Sequence, residues 1–206
     1  MNLDAHVRAA DFDRWASSRL VSDAARRDDL IALYAFEAEL AAIPTRVSQP
    51  ILAEMRYSWW AEQIPGVTTG EPRKGHPILE RLSGAVRRHA VDASVLEGLI
   101  QAHIERVHGA PHDLVALYVR PMQQAARILA GPDAERPVKG AGRVWALIQT
   151  GDLAEAQAGR GQANAGLADL AVAAFPAVAH ATLRDPGAPE SVRRLRLAWA
   201  ALWGRI

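Results

Sequence analysis

Between breakers, apolar residues recur almost everywhere with a period near 3.6, which predicts helices from end to end. The first helix covers about 11–20, with Phe12, Trp15 and Leu20 at apolar positions. Ser22 or Asp23 caps a second, which runs to about Ile43 and stops at Pro44. Its apolar positions Leu30, Ile31, Leu33, Tyr34 and Leu40 make a wide buried face. Ser48 is the expected N-cap of the next helix, with Pro50 in its first turn and an end near Gln63, ahead of Pro65-Gly66. Residues 65–75 read as a loop. His76-Pro77 opens a helix to about 90, and Asp92 caps one ending near His108-Gly109. Pro111 starts another, which stops at Gly131-Pro132, and a helical segment covers Pro137 to about Thr150. Residues 151–166 have few large apolar groups and read as a short helix followed by a mobile loop. Helical character returns over 167–184 and 189–205.

No strands, repeats or heptads interrupt this pattern. The expected fold class is all-α, a bundle of about eight to ten helices. A length of 206 residues allows one domain over residues 1–206, with 151–166 as its weakly patterned part. Half the residues are apolar and 23% are charged, as in a globular protein. The chain has no Cys, which excludes disulfides, thiolate metal sites and a Cys nucleophile. With 24 basic and 23 acidic residues the net charge is +1, and no nucleic-acid footprint is expected. Neither a signal peptide nor a run of about 18 uncharged apolar residues is found. A cytoplasmic location is the default, and peripheral membrane contact stays open.

The chemistry concentrates in residues 28–60. Asp29 and Glu37 lie eight residues apart, about two helical turns, and can share a side. Glu37 and Glu39 either pair with arginines and face solvent or line a polar site. Arg56 and Trp60 are four apart, so Arg56 can stack on Trp60 or reach a carboxylate of the preceding helix. Trp60 itself reads as core or as the wall of an apolar ligand cavity. The histidines, His103 and His108 among them, lack the HExxH arrangement and read as surface or capping residues. Gly140-Ala141-Gly142 and Gly159-Arg160-Gly161 have neither the preceding strand nor the Lys-Ser/Thr of a phosphate loop. On the last helix Val192, Leu195, Trp199 and Trp203 form one stripe, which is expected to dock on the bundle. The alternative is a surface for a partner or for lipid headgroups.

The stretch Arg27-Asp28-Asp29-Leu30-Ile31-Ala32-Leu33-Tyr34-Ala35-Phe36-Glu37-Ala38-Glu39-Leu40 resembles the squalene/phytoene synthase family, as do Val47-Ser48-Gln49-Pro50 and Arg56 through Trp60. Within that family it looks most like a divergent branch that includes the mitochondrial complex I assembly factor and its bacterial relatives. His76-Pro77 matches the start of the family's next helix, and weaker similarity continues through Leu99–His103 and Ala125–Leu129.

The resemblance implies an isoprenoid-synthase-like helical bundle. It also implies head-to-head condensation of two prenyl diphosphates, with Mg²⁺ held by two Asp-rich motifs on facing helices. The first motif should fall near Phe36–Leu40, where this chain has only Glu37 and Glu39. The second should fall near 149–156, where it has Asp152 and Glu155. Tyr34 is a candidate for a polar role in that degenerate site. Departing diphosphate concentrates negative charge, so losing both carboxylate clusters removes most of the metal-driven ionisation. The expectation is a non-catalytic member without a cofactor, a binding or assembly protein for a protein partner or an apolar ligand. The alternative is a divergent prenyl transferase acting on farnesyl or geranylgeranyl diphosphate. In that reading Glu37, Glu39, Asp152 and Glu155 position Mg²⁺.

Overall fold

The computed structural model describes residues 1–206 except 48, 184 and 186. It contains ten α-helices and, among the described residues, no strand. The fold is the expected all-α helical bundle.

Helices α1 (Leu3–Ala10) and α2 (Phe12–Ser18) meet at Asp11. The Asp11 carboxylate accepts from the Arg14 N–H at 3.0 Å and so caps α2. The sequence pattern did not predict α1. Its only buried residue is Val7, too little apolar periodicity to stand out.

Helix α3 (Ala24–Arg46) is the centre of the bundle. Asp23 caps it by accepting from the Ala25 and Arg26 N–H groups. From Asp29 to Glu37 every residue is buried, as expected of a helix apolar on nearly all sides. α3 continues past Ile43, so Pro44 does not end it. A proline withholds one N–H from the carbonyl four residues earlier, here that of Leu40. The Tyr57 hydroxyl donates to that carbonyl at 3.0 Å, which removes most of the cost.

Helix α4 (Pro50–Thr69) likewise runs through Pro65-Gly66, and the loop expected at 65–75 shortens accordingly. It ends at Gly70, with φ at 89°, the left-handed conformation that glycine adopts without strain. The N-cap expected at Ser48 lies outside the described residues; Gln49 holds the cap position without a side-chain bond. Helix α5 (Pro77–His89) starts as expected, with His76 Nδ1 accepting from the Leu79 N–H at 3.3 Å. Helix α6 (Ala93–Val107) is capped by Asp92.

Asp113, not Pro111, starts the next helical run, accepting from the Val115 and Ala116 N–H groups at 2.9 Å. This run is π-helical over Val115–Val119 and then becomes α7 (Arg120–Ala130). Pro121 provides no N–H for the Leu117 carbonyl, a local reason for the widened turn.

The largest departure from the sequence pattern is at 151–166. No loop is found there: α8 (Glu135–Thr150) packs along α9 (Leu153–Leu167) over their length. The small side chains that weaken the apolar pattern let the two backbones approach. A Cβ on Gly140 would lie 2.9 Å from the Ala163 Cα, and one on Gly166 3.2 Å from the Pro137 carbonyl oxygen. Gly140→Ala is therefore expected to lower stability by about 1–3 kcal/mol, although alanine is the better helix former by about 1 kcal/mol. Gly161, with nothing within 4 Å of its built Cβ, is the control. Gly161→Ala should be neutral or stabilising, and equal thermal unfolding of the two variants would contradict the close approach.

The helix expected over 167–184 is replaced by two short 3₁₀ segments, Val172–Ala177 and Ala179–Thr182. Ala174–Ala177 and Ala179–Ala181 are buried while Val172 is exposed, and the Ser17 hydroxyl donates to the Pro176 carbonyl. Pro176 breaks the α-helical ladder there. The last helix is α10 (Glu190–Trp203). Its predicted stripe does not dock: Leu197 and Ala200 face the bundle, while Val192, Leu195, Trp199 and Trp203 face outward.

Candidate functional site

Between α2, α3, α6, the π-helical segment and α8 lies a cavity of about 400 Å³. Helix α3 contributes Tyr34, Glu37, Ala38 and Ala41, and α6 contributes Leu99, His103 and Arg106. Arg14 enters from α2, Tyr118 from the π-helical segment, and Trp145 and Gln149 from α8.

Charge is paired inside this cavity. Arg14 donates from an Nη to Glu37 Oε2, and its Nε lies 3.5 Å from Asp11 Oδ2. Its guanidinium also stands over the Tyr34 ring, 5.4 Å from the centroid. Burial pushes the Glu37 carboxyl above the usual carboxylate range, against the pull of Arg14. Desolvation works against the charge of Arg14, but Glu37 and Asp11 hold it protonated. Burial also raises the Tyr34 hydroxyl. His103 stacks on Tyr57 at 5.4 Å, and burial, then Arg106 and His112, lower it to about 4. Contrary to the surface reading, His103 is a buried neutral histidine. Three buried polar atoms on lining residues have no hydrogen-bond partner: Tyr34 Oη, Glu37 Oε1 and Trp145 Nε1.

Of the candidate-site residues singled out in the sequence, Tyr34 and Glu37 come together here, joined by His103, which the sequence placed at the surface. Asp29 does not share their cavity. Arg88 Nε donates to it at 3.0 Å and His89 Nε2 lies 2.9 Å away, fastening α3 to α5. Glu39 turns aside to Arg46 at 2.7 Å and His6 at 3.1 Å. It lines a separate, smaller pocket with Arg56, Trp59, Trp60 and His76. Trp60 is buried, edge-on to Phe36 at 5.5 Å and to His76 at 5.3 Å. Arg56 is exposed and neither stacks on Trp60 nor pairs with a carboxylate. Asp152 accepts from the Thr150 hydroxyl at 2.8 Å, and Glu155 pairs with Arg143 at 2.7 Å, both at the surface.

The residues that complete the cavity were not singled out: Arg14, Arg106, Trp145 and Gln149 lie far apart in sequence and form no motif. Gln149 alone of the stretch 149–156 reaches the cavity.

Mg²⁺ binds oxygen ligands in near-ideal octahedral geometry, usually through carboxylates and phosphates. The four carboxylates singled out for it do not converge, and the one inside the cavity is occupied by a guanidinium. Among the described residues no group of three or more His, Asp or Glu side chains could hold a metal ion. The residues present do not fit the family's Mg²⁺ cluster.

The all-helical bundle is consistent with an isoprenoid-synthase-like protein. The squalene/phytoene synthase family model matches residues 7–119, over half of the chain, and the chain belongs to that family. The match takes in α3 and ends before α8. No curated protein and no solved structure matches the chain.

Proposed function

We propose that this member of the squalene/phytoene synthase family is non-catalytic, a binding or assembly protein whose central cavity takes an apolar ligand with a polar end. The observation that carries this reading is the Arg14–Glu37 ion pair inside the cavity. A synthase needs that space to present several carboxylates to metal and diphosphate. Here the one acid of α3 that reaches the cavity is neutralised, and the position one turn on, Ala41, has no charge. Leu99, Leu117 and Trp145 as apolar walls, with Arg14, Arg106 and Gln149 as polar lining, suit a small amphiphile. A role in assembling a membrane complex, as the divergent branch suggests, is the finer form of the same proposal.

The test is calorimetric titration of the folded protein with a non-hydrolysable farnesyl diphosphate analogue, with and without Mg²⁺. The expected result is no gain in affinity from Mg²⁺. A gain of tenfold or more, about 1.4 kcal/mol, together with turnover of farnesyl diphosphate, would overturn the reading and restore the synthase.

A further inference from the structure

The outward face of α10 gathers five exposed large apolar side chains. Leu195 is 71% exposed, Trp199 61%, Leu202 77% and Trp203 60%, and Val192 adds to the same side. At about 100° per residue these five side chains fall within an arc of about 100°, opposite Leu197. Exposed tryptophans in such a cluster mark an interaction surface.

The helix is not loosely placed. Leu197 and Ala200 are buried on its inner face. Arg193 pairs with Asp13 and stands over the Phe12 ring at 4.8 Å. At the other end, Ile206 is buried, its N–H donates to Asn164 Oδ1 at 2.9 Å, and its carbonyl accepts from Asn164 Nδ2 at 3.1 Å. The fold therefore fixes which side of α10 faces out.

We propose that this face docks on the anionic headgroup layer of a lipid bilayer. Two observations select that occupant. Exposed Arg196 lies beside the stripe and exposed Arg205 follows its end, while Arg194 turns back over the Phe12 and Trp15 rings; the only acid in α10 is Glu190 at its start. Tryptophan, leucine and arginine on one helix are what an interfacial helix uses, with apolar groups at the acyl boundary and cations at the phosphates. No described helix is long and apolar enough to cross a membrane, so the contact is in the interface plane. No α10 residue lines the central cavity, so this surface is independent of the ligand reading.

The experiment is co-sedimentation of the full chain with vesicles of pure phosphatidylcholine and of equal parts phosphatidylcholine and phosphatidylglycerol. The protein is expected to partition onto the anionic vesicles and to be released by salt. A variant with Leu195→Ser, Trp199→Ser and Trp203→Ser should lose about tenfold or more in partition with its thermal unfolding unchanged, because these side chains are exposed. A second variant, R196E with R205E, should lose the anionic preference. The proposal is overturned if folded protein binds neither vesicle, if it binds both equally, or if the serine variant binds as wild type does. It is also overturned in favour of a second copy if analytical ultracentrifugation shows a dimer that the serine variant abolishes.

Discussion

Replacing Arg14 with Met is expected to destabilise the protein by about 3–5 kcal/mol at neutral pH, the range for breaking a buried ion pair from one side. Both side chains of the pair are largely buried, 12% exposed for Arg14 and 7% for Glu37. Without Arg14 the Glu37 carboxylate stays in the cavity with no cation to offset its desolvation. Burial already holds its carboxyl above the ordinary 4.5, and losing Arg14 raises it further. The sign of the pH dependence follows. A folded-state pKa raised above the unfolded one gives stability that is present at low pH and lost as pH rises through the folded value. The R14M protein should therefore regain part of its loss as pH falls from neutral toward 4.5. The double variant R14M/E37L removes both charges and should recover most of the stability, since an apolar pair of similar size is often neutral. Urea unfolding of wild type, R14M, E37L and R14M/E37L at about pH 7 and about pH 5 completes the cycle. A loss in R14M below about 1 kcal/mol, the range of exposed pairs, would mean that water reaches the pair freely.

The second large effect is acid destabilisation through His103. The unfolded chain protonates this residue near 6.5, whereas the folded protein resists until about 4. Its folded-state value is depressed, so its contribution is complete above 6.5 and is lost as pH falls through that window. The loss reaches about 3 kcal/mol at the lower end, at about 1.4 kcal/mol for each pH unit. His180, lowered by burial and then by Arg14, adds to the loss; Asp29, raised by burial but held below 3.8 by Arg88 and His89, adds to it only at pH below 3.8. Glu37 and Asp13, both raised by burial, act in the opposite direction. His103→Gln separates these contributions. It should lower stability at neutral pH through the lost stack on Tyr57, yet flatten the fall between 6.5 and about 4. Unfolding free energies at several pH values read the slope, and an unchanged slope would assign the acid sensitivity elsewhere.

Asp23, His76 and Asp92 were legible as helix starts because a cap acts on N–H groups two or three residues away. The same local logic failed at Pro44 and Pro65. Those helices continue, and for Pro44 the reason is Tyr57, which reaches the open Leu40 carbonyl from another helix. Residues 151–166 misled for a related reason: small side chains that look like a missing core are what let α9 lie against α8.

The candidate site divides the same way. The sequence by itself determined that the chain is all helical and that α3 carries a wide buried face, and the family resemblance showed that the squalene/phytoene synthase carboxylate spacing is absent. These follow from periodicity and spacing along one segment, where backbone bonding and face burial are local. Only the tertiary structure decided that Glu37 meets Arg14, that Glu39 turns away, that Gln149 reaches the cavity, and which face of α10 is covered. Ion pairs, cavity walls and the choice between two apolar faces of one helix depend on residues distant in sequence, and no local period encodes them.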